Sequence, residues 1–180
     1  DVPVYADGGM FARGPQGMAD WSARQAEAGF SAVKYHVMGE APDEIVETIR
    51  VTRSAIGRKV RLMVDVHKLW DPWTAVDVSR RLEQYDVFWL EEPLRWDDEV
   101  SGMAYLAANT RIAIAAGESE STLYAARELV QHAGIKVLQV DIVLGGGYTP
   151  WVKMAAVAAA YHVYIAPHGA TFTELAAPFV

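Results

Sequence analysis

Three acids, Asp65, Glu91 and Glu118, each close a run of apolar, strand-like residues, and they follow one another at intervals of 26 and 27 residues. Gathered in one partly desolvated place, the three would repel one another, and at least one would have to keep its proton. A divalent cation relieves that repulsion. An all-carboxylate set with water in the remaining positions suits hard Mg²⁺ better than Zn²⁺, with Mn²⁺ as the other candidate. Glu92, beside Glu91, either exchanges roles with it, packs into the wall of the fold or pairs with a lysine. Basic groups end neighbouring runs. Lys34 and His36 stand two residues apart and so share one face of a strand, as do Asp65 and His67. His168 ends the last run, and Asp141 ends the run before it, placed to bond one imidazole nitrogen. Such a bond orients the ring and raises its basicity, which a general base requires.

These residues need a scaffold that brings strand ends together. Strand-like and helix-like stretches alternate along the whole chain. The strand candidates are "VPVYADGG" (2–9), "FSAVKYHV" (30–37), "VRLMVDVH" (60–67), "VFWLEEP" (87–93), "RIAIAAGE" (111–118), "IKVLQVDIV" (135–143) and "VYIAPHG" (163–169). Between them lie helix candidates at 17–29, 42–57, 71–85, about 98–109, 121–134 and 149–162, and the chain enters another after 169. Asp71 and Pro72 read as a cap and first helical residue, and Gly29 and Gly57 as stops. Apolar strands joined by helices through short links imply a parallel sheet covered by helices. The polar strand ends Lys34, Asp65, Glu91, Glu118, Asp141 and His168 recur at intervals of 31, 26, 27, 23 and 27 residues, about one βα unit each. That periodicity favours a (β/α) barrel of TIM type over a doubly wound sheet, and no Gly-x-Gly-x-x-Gly follows the first strand. In such a barrel the strands' carboxyl ends converge on one mouth, where active sites are built.

Bulk properties narrow the field. The 180 residues suffice for one sizeable core, so 1–180 is read as one domain. A net charge of −7 argues against nucleic acid, and no apolar run approaches a membrane span. With no cysteine, thiolate chemistry and disulfides are excluded. A cytoplasmic location is the default expectation.

The stretches "GFSAVKYHV", "LMVDVH", "FWLEEPL", "AAGES", "LQVDIVLGGG" and "IAPHGA" together resemble the barrel domain of the enolase superfamily, in its mandelate racemase and muconate-lactonizing branch. The resemblance implies Mg²⁺ ligands at Asp65, Glu91 and Glu118 and a His168–Asp141 base dyad. It also implies a strand-two base and abstraction of the proton alpha to a carboxylate through a metal-stabilised enediolate. Where the family carries lysine-x-lysine, this chain has Lys34 and His36. His36 then acts as base or acid, or contacts the substrate. His67 resembles the aspartate-x-histidine of acid-sugar dehydratases, in which the histidine helps the β-hydroxyl leave. The family also implies an eighth strand and an N-terminal capping domain, neither found in 1–180, so the barrel is expected to be incomplete, with about seven βα units.

The resulting expectation is a Mg²⁺-dependent dehydratase acting on a hydroxylated, sugar-type carboxylic acid, in a protein that forms homo-oligomers at full length. A racemase or epimerase needs only two bases on opposite faces and is the nearest alternative, with a cycloisomerase next. A non-catalytic ligand-binding barrel is the reading from outside enzymology.

Overall fold

The computed structural model describes residues 3–8 and 14–169. Six strands form one parallel sheet in sequence order: β1 (Ala32–His36), β2 (Arg61–Asp65), β3 (Val87–Glu91), β4 (Ala113–Ala116), β5 (Val137–Leu138) and β6 (Tyr164–Ile165). Helices alternate with them: α1 (Gly14–Glu27), α2 (Pro42–Ile56), α3 (Pro72–Leu82), α4 (Glu99–Asn109), α5 (Leu123–His132) and α6 (Tyr148–Ala160). Every strand neighbours the next in sequence, with no reversal of order. That is the winding of a barrel, since a doubly wound sheet reverses at a switch point. The helix expected after 169 lies outside the described residues.

Local chemistry accounts for the element ends. The Asp71 carboxylate accepts hydrogen bonds from the backbone N–H groups of Trp73 and Thr74, and Pro72 opens α3. Gly57 closes α2 at φ +66°, a backbone region where glycine carries no Cβ penalty. Three expected strands are much shorter than their sequences suggest, and that at 163–169 pairs regularly only at Tyr164–Ile165. Of the stretch at 2–9, the described residues 3–8 contribute an isolated bridge, Ala6 to Val33, and 135–143 pairs regularly only at Val137–Leu138. Beyond Leu138 the chain turns, because the Asp141 side chain accepts from the N–H groups of Val143 and Leu144 and caps a glycine-rich loop. The three glycines at 145–147 are part of that turn, with Gly145 N–H donating to Asp141 C=O.

The sheet separates two apolar regions. Val33, Tyr35, Leu62, Val64, Leu90, Ile114 and Leu138 face the helices, in the main core. Ala32, Met63, Trp89, Ala115 and Val137, one from each of β1 to β5, pack together on the opposite face. Strand periodicity then places Lys34, Asp65 and Glu91 directly beyond Ala32, Met63 and Trp89 on this inner face. An apolar plug thus floors a polar mouth. No described helix is long and apolar enough to cross a membrane.

Candidate active site

Asp65 and Glu91 end β2 and β3 as direct register partners, and both are buried. Lys34 bridges them. Its ammonium donates to Glu91 Oε1 at 2.7 Å and lies 3.9 Å from Asp65 Oδ2, and Trp89 Nε1–H donates to Glu91 Oε2 at 3.1 Å. Burial works against the lysine's charge, but Glu91, Tyr5 and Asp65 hold its pKa above the ordinary range. Such a lysine is a fixed cation, unsuited to taking up a proton.

Glu118 reaches the mouth by a different route. Gly117 adopts φ +117°, and a Cβ there would meet Leu138 Cδ1 at 3.0 Å, so glycine permits the turn that carries Glu118 inward. Glu92 then fixes that turn, its Oε1 accepting from Gly117 N–H at 2.7 Å and Glu118 N–H at 3.0 Å. Burial raises the Glu118 carboxyl above its usual range, and the charges of Asp65 and Glu91 add to the rise while His168 opposes it. The three acids therefore sense one another across the mouth.

The imidazoles divide into two groups. His168 Nδ1 lies 3.1 Å from Asp141 Oδ2, and its Nε2 lies 3.3 Å from Glu118 Oε2. The structure thus brings His168, Asp141 and Glu118 into one chain. Across the mouth, His36 and His67 stack with ring centroids 5.1 Å apart. His36 Nδ1 and His67 Nε2 each lie 3.1 Å from Asp65 Oδ2. His67 stands at φ +52°, outside the strand geometry its spacing suggests, and its N–H donates to Asp65 Oδ1 at 3.0 Å. The hydrogen bond to Asp65 lifts the His67 pKa to about 9, against burial and with help from the Val37 carbonyl. Burial disfavours charge on His36, yet its bonds to Asp65 and Asp7 outweigh that and leave its pKa raised. Asp65, in turn, is held well below the usual carboxylate range: burial pushes it up, but the two imidazoles and Lys34 prevail.

Two residues at this mouth escaped sequence reasoning. Asp7 bonds His36 Nε2 and lies 3.6 Å from Lys34 Nζ. Its position 27 residues before Lys34 fits the interval of the other strand ends, and that was the available signal. Lys68 is buried, paired with Glu92 Oε2 at 3.1 Å and with Glu99, and stacked 4.1 Å over the Trp96 ring. Glu92 therefore takes the lysine-pairing role. Tyr35 and Trp70 belong to the core, whereas Trp73 is exposed. His132 and His162 lie on the helix side, exposed and away from the mouth.

Behind this wall, Glu120 hydrogen-bonds Glu99, and burial first, then that bond and charge, raise its carboxyl to about 7. The folded state therefore holds this proton more tightly than the unfolded chain. Glu120's favourable contribution is full below pH 4.5 and is lost as pH rises through about 7. Glu120→Gln should stabilise the protein at pH 8 by about 1 kcal/mol, allowing for partial solvent screening. The gain should vanish near pH 5, as read from urea midpoints at the two pH values.

The sequence profile of the enolase C-terminal domain-like family matches residues 17–178. The chain belongs to that family. This enolase-type domain is 32% identical over 168 residues to a 3,6-anhydro-alpha-L-galactonate cycloisomerase of Streptomyces coelicolor, covering 93% of the chain and 46% of that protein. It is 33% identical over 149 residues to an L-talarate/galactarate dehydratase of Salmonella typhimurium, covering 83% and 37%. A racemase from Streptomyces coelicolor A3(2), solved with bound magnesium, superposes with a TM-score of 0.87 at 31% identity, covering 94% of this chain and 50% of that one. The enolase-type domain spans less than half the length of these curated relatives.

Proposed function

We propose that this domain carries the active site of a Mg²⁺-dependent lyase that removes the proton alpha to the carboxylate of a hydroxylated, sugar-type acid and expels its β-hydroxyl. The donor chemistry fits the metal: three buried or half-buried carboxylates from successive strand ends, all oxygen, each with a basic side chain beside it. Asp65, Glu91 and Glu118 would hold the ion, which when bound supplies positive charge to the substrate's carboxylate as negative charge develops there. His168 takes the alpha proton at Nε2, with Asp141 fixing the ring through Nδ1. Lys34 keeps its charge and orients carboxylates.

One observation carries dehydration over racemisation. His67 offers Nε2 to Asp65 at 3.1 Å and Nδ1 to the Val37 carbonyl at 3.0 Å, so an oxygen acceptor faces both ring nitrogens and the imidazolium is favoured. A protonated imidazole across from the base is the acid that a departing hydroxyl needs. His36, tied to Asp7 and Asp65, positions His67 or serves as the second base. The relatives named dehydratase and cycloisomerase support a sugar-acid substrate, and the racemase supports the alternative.

Full-length protein incubated with a panel of sugar acids and Mg²⁺ should release a 2-keto-3-deoxy acid that reacts with semicarbazide, and EDTA should stop it. Alpha-hydrogen exchange in D₂O without keto acid would instead establish racemisation. Neither signal with any acid would favour a ligand-binding barrel.

A further inference from the structure

Among the described residues, the ligand atoms that gather within 4.8 Å of one another belong to His36, Asp65 and His67, not to the three carboxylates. Their geometry is regular. His36 Nδ1 to His67 Nε2, His36 Nδ1 to Asp65 Oδ2 and His67 Nε2 to Asp65 Oδ2 all measure 3.1 Å. An ion bonded at about 2.1 Å on one octahedral face separates its ligand atoms by about 3.0 Å. Both rings also have their remote nitrogens committed to oxygen, His36 Nε2 to the Asp7 carboxylate and His67 Nδ1 to the Val37 carbonyl at 3.0 Å. Metal-bound histidines characteristically carry such outer partners, which fix the tautomer and aim the other nitrogen at the ion. Here the aimed nitrogens converge on a single carboxylate oxygen. The surrounding charge is also favourable: three carboxylates, Asp7, Asp65 and Glu91, face Lys34.

We propose that His36 Nδ1, His67 Nε2 and Asp65 Oδ2 form a facial site for a borderline divalent transition ion of the Zn²⁺, Co²⁺ or Ni²⁺ class, sharing only Asp65 with the all-carboxylate position assigned above to Mg²⁺. Two imidazoles and one carboxylate select such ions over Mg²⁺, which prefers oxygen. Both aimed nitrogens must be free of protons to bind the ion, so ligation competes with protonation. It also immobilises His67, removing the acid that dehydration uses. Transition ions are therefore inhibitors of the Mg²⁺-supported reaction.

The test is a calorimetric Zn²⁺ titration of the intact protein in saturating Mg²⁺, paired with anomalous diffraction from Zn²⁺-soaked crystals. One anomalous peak should lie bonded to His36 and His67. His67→Ala and His36→Gln should each weaken Zn²⁺ by about 100-fold or more, since even outer-partner losses reach that size. Glu118→Gln should leave Zn²⁺ affinity within about three-fold. In ¹⁵N-histidine-labelled wild type, Zn²⁺ should shift His36 Nδ1 and His67 Nε2, a readout independent of variants. Zn²⁺ affinity indifferent to both histidine changes, or falling as far in Glu118→Gln, would place the ion on the carboxylates or His168 and overturn the proposal. Mg²⁺ retained by Glu118→Gln would count against the magnesium assignment while leaving this site untouched.

Discussion

Replacing His168 by asparagine should lower turnover by about a thousand-fold, the middle of the range for loss of a positioned general base. The amide can keep a hydrogen bond to Asp141 but cannot accept the alpha proton. His168 sits at one side of the mouth against Glu118, and the other imidazoles sit at the opposite side against Asp65. Its loss should therefore abolish alpha-hydrogen exchange on one face of the substrate only. Mg²⁺ affinity should change little, because the variant retains all three carboxylates. Unaltered turnover would remove His168 from the reaction, and equal loss of exchange on both faces would point to damage beyond one base.

Much of this arrangement was legible in the sequence because it follows from strand periodicity. Alternation puts Lys34, Asp65 and Glu91 on the face that carries Ala32, Met63 and Trp89, and the interval between strand ends reveals the barrel winding. The caps at Asp71 and Gly57 were equally readable, since each depends on one residue's own chemistry. What the sequence concealed lies in loops. His67 and Lys68 adopt φ of +52° and +58°, and Glu92 +41°, so alternation no longer says where their side chains point. Lys68 finds Glu92 and Glu99 across distant segments, and Asp7 finds His36 from a stretch whose described residues make one bridge to the sheet. The shortness of β5 was hidden for the same reason: a side-chain cap at Asp141 ends an apolar run that looks continuous.

The second large effect concerns the carboxylates themselves. In the present arrangement each acid has a basic partner: Lys34 for Glu91, the paired imidazoles for Asp65 and His168 for Glu118. A hard cation must draw these oxygens from their partners, and three ionised groups provide the charge for it. Removing any one leaves two carboxylates and the fixed ammonium of Lys34, a poor environment for a dication. The most direct test is calorimetric titration of Mg²⁺ into the intact protein and its Asp65→Asn, Glu91→Gln and Glu118→Gln variants. One ion should bind the wild type, and each substitution should weaken it by about 100-fold or more, a loss of about 2.7 kcal/mol. Magnesium binding that survives all three substitutions, or that is missing from the folded wild-type protein, would contradict a metal-centred active site at this mouth.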